Sequence, residues 1–478
     1  MHCLALGTAL AILHVWHVGA IDLDIQNQTS IKAAAKTITG DIVNIFNSSD
    51  NSNVGLFPKA YSWWESAIIW DAFVDYWFLT GDSQYNDLVS GSILSQQGPN
   101  YDFMPPNQTT TESNDAQAFW GLAAMSAAER AFPVPSGQST WLTLAENVFN
   151  DQAARWDNQS CNGGLRWQIF TFNDGYDEKT SLANALFFQL AARLAQYTGN
   201  QTYVTWADQT FTWLQNTGLV TKDYAAWTTT RISGNCSTFN HIQWSANFSP
   251  LLAGSAILAN LTNGTQQTTW QTRAQGLLSA TTPWVGAPSS NHSSSSSSSS
   301  TSSQKNILYE VACEPSATCD ADTLTYKGLL ATYLAQTALF YPSTAPRILP
   351  ILQATAPAAA QSCSGRTATS QSACGVSWLA DGYDGQEGLS QEYAALSAML
   401  ALLVPEGEKF ANVSAPVGGG AGTATTGGAG NATGTAGSGG AAGTSAAAGK
   451  SGAVLGRGAA MGTVGWVGMG VLALWLLC

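Results

Sequence analysis

Between residues 30 and 405 the apolar positions recur at helical spacing, and no stretch alternates with the period of two that a half-buried strand needs. The pattern predicts helices over 30–46, 64–80, 83–97, 115–131, 139–155, 179–198, 200–216, 243–260, 266–281, 322–341, 345–358 and 387–404. Gly, Pro, Asn and Asp separate them, and many open on a capping residue or proline. Leu79-Thr80-Gly81-Asp82 and Tyr197-Thr198-Gly199-Asn200 are near copies, each joining one helix to the next. Twelve helices in hairpins predict an all-α fold, an (α/α)6 toroid whose inner helix ends and loops line one cleft. An irregular all-α domain is the alternative. The polar run Ser289–Ser303 interrupts the pattern and reads as a disordered surface insert.

The two ends break with this periodicity. Residues 3–16 form a short apolar run followed by Val18-Gly19-Ala20, so residues 1–20 read as a secretory signal peptide. A stalk of Gly, Ala, Ser and Thr occupies residues 409–445, and 446–478 ends in an apolar tail with no basic flank. Small residues, spacer and short apolar tail make the pattern of a GPI-anchor signal, with attachment at Ser445 or at Ser451. A single-pass anchor is the other reading. The helical domain is thereby bounded at 21–408.

Export accounts for the cysteines and sequons. Without Cys3 and Cys478 there remain Cys161, Cys236, Cys313, Cys319, Cys363 and Cys374, an even set suited to an oxidising compartment. The short spacings favour local bridges Cys313–Cys319 and Cys363–Cys374, which leaves Cys161 to pair with Cys236. Asn-x-Ser/Thr sequons recur along the chain, among them Asn107, Asn158 and Asn235.

Charge narrows the chemistry. With 18 Lys+Arg against 31 Asp+Glu, a net charge of -13 and no basic runs, the chain is a poor partner for nucleic acid. Of its five histidines only His241 stands in an ordered setting, which argues against His-rich zinc sites and a Ser-His-Asp relay. Carboxylates, 18 Trp, 14 Tyr and amides remain, and these suit a carbohydrate site.

The stretch YDFMPPNQTTTESNDAQAFW carries the chemistry. Pro105-Pro106 forbids helix there, Ser113 or Asn114 can cap the helix that follows, and Asp115 falls in its first turn. The dipole and free N–H groups stabilise a carboxylate at that place as an anion. Three further clusters gather aromatic, amide and charged groups at loop–helix junctions: Trp63 and Trp64, Arg166 and Trp167, Gln243 and Trp244. Flat rings suit sugar faces and amides suit hydroxyls, although each cluster could equally be core packing. Asp115 is expected at the floor of the largest cleft, with Trp63, Trp64, Asn114, Gln117, Arg166, Trp167, Gln243 and Trp244 as its sugar-binding surround.

Taken together, YSWWESA, DAFVDYWFLTGD, ESNDAQAFWGLAAMSAAE, GGLRWQIFTFNDGYDEKTSLANALFFQLAARLAQYTGN, CSTFNHIQWS, CDADTLTYKGLLATYLA and CGVSWLADGYDGQEGLSQE resemble the fungal branch of glycoside hydrolase family 76. That branch comprises endo-α-1,6-mannanases and GPI-anchored wall proteins similar to them. The resemblance implies an (α/α)6 barrel, retaining chemistry without a cofactor or metal, and a substrate of α-1,6-linked mannan or the mannose of GPI glycans. It also implies wall glucan as an acceptor. The family pattern reads Asn-Asp-Asp-Gln, nucleophile then acid/base, where this chain reads Asn114-Asp115-Ala116-Gln117. Asp115 matches the nucleophile, and Ala116 stands where the proton donor belongs. Ala246 and Thr323 also depart from the family, which often has Tyr and Gln there. Two classes follow: an enzyme, either weakened by the loss of its acid or recruiting a substitute, with Asp102, Glu112, Asp174 and Asp177 nearest in sequence, or a glycan-binding wall mannoprotein.

Overall fold

The computed structural model describes residues 19–48, 54–286, 306–368, 370–380 and 382–404. The signal peptide, the serine tract, the stalk and the anchor signal lie wholly or almost wholly outside them. Thirteen α-helices are present among the described residues: α1 (Gln28–Asn47), α2 (Trp63–Thr80), α3 (Asn86–Ser95), α4 (Asn114–Glu129), α5 (Trp141–Ala154), α6 (Ser181–Thr198), α7 (Gln201–Thr217), α8 (Ser245–Leu261), α9 (Gly264–Ala280), α10 (Ala321–Leu324), α11 (Tyr326–Phe340), α12 (Ala345–Ser362) and α13 (Leu389–Ala401). Twelve were expected. The stretch 322–341 is divided at Thr325: a capping box of Asp320 and Thr323 opens α10, a single turn that ends there before α11 begins.

Helices α2, α4, α6, α8, α11 and α13 pack each on the next, and α13 returns to α2, so the six form a closed ring. Around them α1, α3, α5, α7, α9 and α12 make an outer layer. The chain is an (α/α)6 barrel. Sequence decides which helix goes where. Inner helices such as α4 and α8 are rich in Ala and apolar residues on every side and are buried nearly all round. Outer helices such as α1 and α7 carry a single apolar stripe. Small side chains let the inner helices approach closely, and Trp70, Trp120 and Trp270 are fully buried in the core, packed on Phe46 and Phe57, on Trp63 and Phe103, and on Phe188 and Phe211 respectively. Much of the tryptophan that suggests sugar chemistry by composition is therefore core.

Polar groups knit the C-terminal halves of the inner helices together. Arg193 on α6 binds Glu129 at 2.7 Å and Ser126 at 2.7 Å on α4, and Arg130 pairs with Asp75 on α2. Among the described residues seven short strands escape the sequence reading, because two or three residues cannot display an alternation. The first three, β1 (Glu178–Thr180), β2 (Thr229–Arg231) and β3 (Phe239–Asn240), form one antiparallel sheet. The other four, β4 (Val285–Gly286), β5 (Ile307–Leu308), β6 (Cys363–Gly365) and β7 (Ala373–Cys374), form two antiparallel pairs. Disulfides join Cys161–Cys236, Cys313–Cys319 and Cys363–Cys374, the expected pairing.

Candidate active site

The N-terminal ends of α2, α4, α6 and α11 meet around a cavity of about 310 Å³. Ser62, Trp63 and Trp64 reach it from the start of α2, Ser113, Asp115 and Phe119 from α4, Trp167, Gln168 and Leu182 from the approach to α6, and Asp322 and Tyr326 from α10 and α11. Thr111 completes the wall. A neighbouring hollow of about 630 Å³, lined among others by Phe57, Tyr61, Asn107 and Gln108, shares Ser62, Trp63 and Thr111 with it. Asp115 thus lines the smaller of two adjoining chambers rather than the largest one.

The local fold around Asp115 follows from its capping residue. Ser113 takes an extended backbone and accepts the N–H of Ala116, so α4 opens with Asp115 facing the cavity. The carboxylate accepts hydrogen bonds from the Ser113 hydroxyl, the Ala116 N–H at 3.0 Å and the Trp167 indole. Burial outweighs these donors and pushes its pKa up to about 6. Trp167 is held by backbone bonds on both sides: its carbonyl accepts from Asn114 N–H at 2.9 Å, and its N–H donates to Glu178 at 2.7 Å. Its ring lies against Gly175, where φ is +90° and a Cβ would come within 2.3 Å of the indole. Only glycine fits both demands.

Asp322 is the second carboxylate in the wall. It accepts from the Ser62 hydroxyl at 2.8 Å and from the Trp64 indole, and burial followed by the charge of Asp320 raises its pKa. Each carboxylate therefore has one serine and one tryptophan as donors. Trp64 is itself stacked on Phe119, with centroids 4.9 Å apart. Tyr326 lines the same cavity, and its phenol is held well above its ordinary pKa by burial and by Asp322 and Asp115.

Trp63, Trp64 and Trp167 line the cavity, but the other expected surround residues do not. Asn114 and Gln117 are buried and serve the frame. Asn114 donates to the Arg166 carbonyl at 2.9 Å and accepts from Arg155, while Gln117 donates to the Asp102 carbonyl at 2.8 Å and accepts from Arg155. Arg166 pairs with Asp157 at 2.8 Å and lies over the Tyr176 ring. Gln243 sits at the approach to α8 outside the lining, and Trp244 meets Tyr326 edge-on from behind, 5.9 Å between centroids. Helical neighbours of a site residue point to other faces, which is why adjacency in sequence misplaces Asn114 and Gln117.

The four acids nearest in sequence to Ala116 also lie outside the wall. Asp102 caps Met104 N–H at 3.1 Å, and Glu112 is buried beside Asp102 and Arg155 with its pKa pushed up to about 7. Asp174 and Asp177 are exposed, the latter 3.8 Å from Arg231. Ala116 itself is buried in the apolar core, 2% exposed. Asp322 escaped sequence reading because it enters the site from a different helix. Its one signal was its place inside CDADTLTYKG, a stretch that carries the family resemblance.

Residues 30–414 match Glycosyl hydrolase family 76. The mannan endo-1,6-alpha-mannosidase DCW1 of Candida glabrata is 38% identical over 388 residues, covering 80% of this chain and 82% of the relative. Dfg5 from Chaetomium thermophilum, solved in complex with glucosamine, superposes with a TM-score of 0.72 at 34% identity over 80% of this chain and 92% of that one. An inactive variant of the alpha-1,6-mannanase GH76A of Salegentibacter sp. HEL1_6, in complex with alpha-1,6-mannotriose, shares the fold at 17% identity and a TM-score of 0.60, over 78% of this chain and 99% of that one. The chain belongs to glycosyl hydrolase family 76.

Proposed function

We propose that this family 76 chain is an endo-acting, retaining α-1,6-mannosidase or transglycosylase of the fungal cell wall, with Asp115 as its nucleophile. The supporting observation is a carboxylate in the first turn of an inner barrel helix, lining a cavity walled by Trp63, Trp64 and Trp167. The likeness to fungal mannan endo-1,6-alpha-mannosidases supports the choice of linkage. Attack by Asp115 on the anomeric carbon gives a covalent mannosyl-enzyme, which water or a sugar hydroxyl then resolves. The substrate is α-1,6-linked mannan or the mannose core of a GPI glycan, and wall glucan is the acceptor when transfer replaces hydrolysis. The reading places the protein outside the cell, with its leader removed near residue 20. A GPI anchor at Ser445 or Ser451 and the 409–445 stalk would then hold it at the membrane face and in the wall.

Purified protein incubated with α-1,6-mannan oligosaccharides tests the reading. The expected result is internal cleavage or chain transfer that Asp115→Asn abolishes without loss of fold. Binding with neither cleavage nor transfer would replace it with the glycan-binding wall protein to which Ala116 points.

A further inference from the structure

A retaining site needs two carboxyls, one to attack and one to protonate the leaving oxygen. Position 116 supplies a methyl group, and it is buried outside the cavity wall. The lining holds one carboxylate besides Asp115, and it comes from the opposite side of the ring. Helices α4 and α11 face each other across the barrel, since α6 and α8 separate them one way and α2 and α13 the other. Asp322 sits on the turn immediately before α11, so the two acids look into the same chamber from opposing walls.

We propose that Asp322 is the general acid and base of the reaction in which Asp115 is the nucleophile. The inference rests on the enzymatic reading above and supplies the group that reading lacks. As Asp115 Oδ attacks the anomeric carbon, the glycosidic C–O bond breaks and the Asp322 proton passes to the departing oxygen. In the second half the Asp322 carboxylate takes the proton of water or of an acceptor hydroxyl. That oxygen bonds to the anomeric carbon, and the Asp115 ester is released.

The surroundings assign the two roles. Asp115 is supplied with donors: a serine hydroxyl, the Ala116 N–H and an indole, at the N-terminus of a 16-residue helix. Asp322 is buried and has the Asp320 carboxylate on its own turn, and both favour the protonated form. Tyr326, the remaining acidic group in the wall, is too weak an acid at so raised a pKa. The turn bearing Asp322 is also fixed in place. Cys319, one residue before the Asp320 cap, is bridged to Cys313, the Thr323 hydroxyl closes the capping box by accepting the Asp320 N–H at 2.9 Å, and Lys327 pairs with Glu314 at 3.0 Å.

Asp322→Asn and Asp322→Ala are compared with the parent on α-1,6-mannan oligosaccharides and on a dinitrophenyl α-mannobioside, whose leaving group departs unprotonated. Asp322→Asn keeps an acceptor for Ser62 and Trp64, so its fold is checked by circular dichroism and thermal melting. Mannan turnover is expected to fall about 10²–10⁴-fold. The aryl mannoside should still give a rapid burst followed by slow release. Azide should accelerate turnover of Asp322→Ala and yield the α-mannosyl azide, and the alkaline limb of the pH profile should vanish. Asp115→Ala should lose both substrates. Undiminished mannan cleavage by Asp322→Asn overturns the assignment alone, as does equal loss on both substrates without azide rescue. A parent protein inert on both substrates overturns the enzymatic reading and this one with it.

Discussion

Burial pushes the Asp115 carboxyl up to about 6, while the Ser113 hydroxyl, the Ala116 N–H and the Trp167 indole pull it down. A nucleophile works as the anion, so kcat/KM for mannan is expected to fall as the pH drops through about 6 rather than through about 4, the ordinary aspartate range. The indole is the donor that can be removed with least disturbance. Trp167→Phe keeps a ring against Gly175 and deletes the N–H, so Asp115 holds its proton more tightly. A hydrogen bond to a charged group contributes about 1.5 kcal/mol, so the acid limb should move up by about one pH unit. Initial-rate profiles from pH 4 to 8 check this, and an unmoved limb would mean that the indole does not address the carboxylate. Asn114 and Gln117 act differently. Their amides brace Arg155, Asp102 and the Arg166 backbone, so alanine there should lower thermal stability more than it alters KM.

The turn carrying Asp322 is the element on which catalysis is expected to depend most. The bridge Cys313–Cys319 closes a loop with a sequence separation of 6. By the chain-entropy account it stabilises the fold by only about 2 kcal/mol. Replacing both cysteines by serine should therefore leave a folded protein, yet cut mannan turnover at least about tenfold, since a small displacement of a positioned group is costly. Activity and melting temperature measured on the same preparation separate the two effects. A variant with full activity would show that the capping box alone fixes the turn. These elements also mark how far the sequence was readable. The helices announced themselves through apolar spacing and caps, and their hairpin order led to the ring. Asp115 was legible because Ser113 ahead of it is a capping signal, and Trp63, Trp64 and Trp167 because they stand at junctions. Asp322 was not, since nothing local says that α10 will face α4. That adjacency arises only when α13 closes on α2. The short strands were invisible for a similar reason: their partners lie far along the chain, and their own two or three residues carry no period.

At the scale of the whole molecule, the barrel stores many carboxylates away from water. Burial raises Glu65, Glu112 and Glu310 to about 7 and Glu392 to about 8, with Asp115 at about 6. A carboxylate whose pKa is higher folded than unfolded keeps its proton in the native state where the unfolded chain has lost it. Its stabilisation is complete below the unfolded value near 4 and is lost as the pH rises through the folded value. Each such proton contributes a slope of about 1.4 kcal/mol per pH unit across that window. Asp157, hydrogen-bonded by the Ser160 hydroxyl and salt-bridged to Lys179 and Arg166, has a lowered pKa and works in the opposite sense, its stabilisation fading only as the pH falls below the ordinary aspartate range. The fold should accordingly be most stable in mild acid, with the melting temperature falling by about 5 °C or more between pH 5 and pH 8. Glu392 is the informative site. One of its oxygens accepts the Cys374 N–H at 3.0 Å, and the other is buried without a hydrogen-bond partner. Glu392→Gln keeps the acceptor and removes the titration, so it should flatten the decline above pH 7 and raise the melting temperature at pH 8. Calorimetric scans of parent and variant across that range decide it, and a parent whose melting temperature rises toward pH 8 would mean that these carboxyls are solvated and charged in the native barrel.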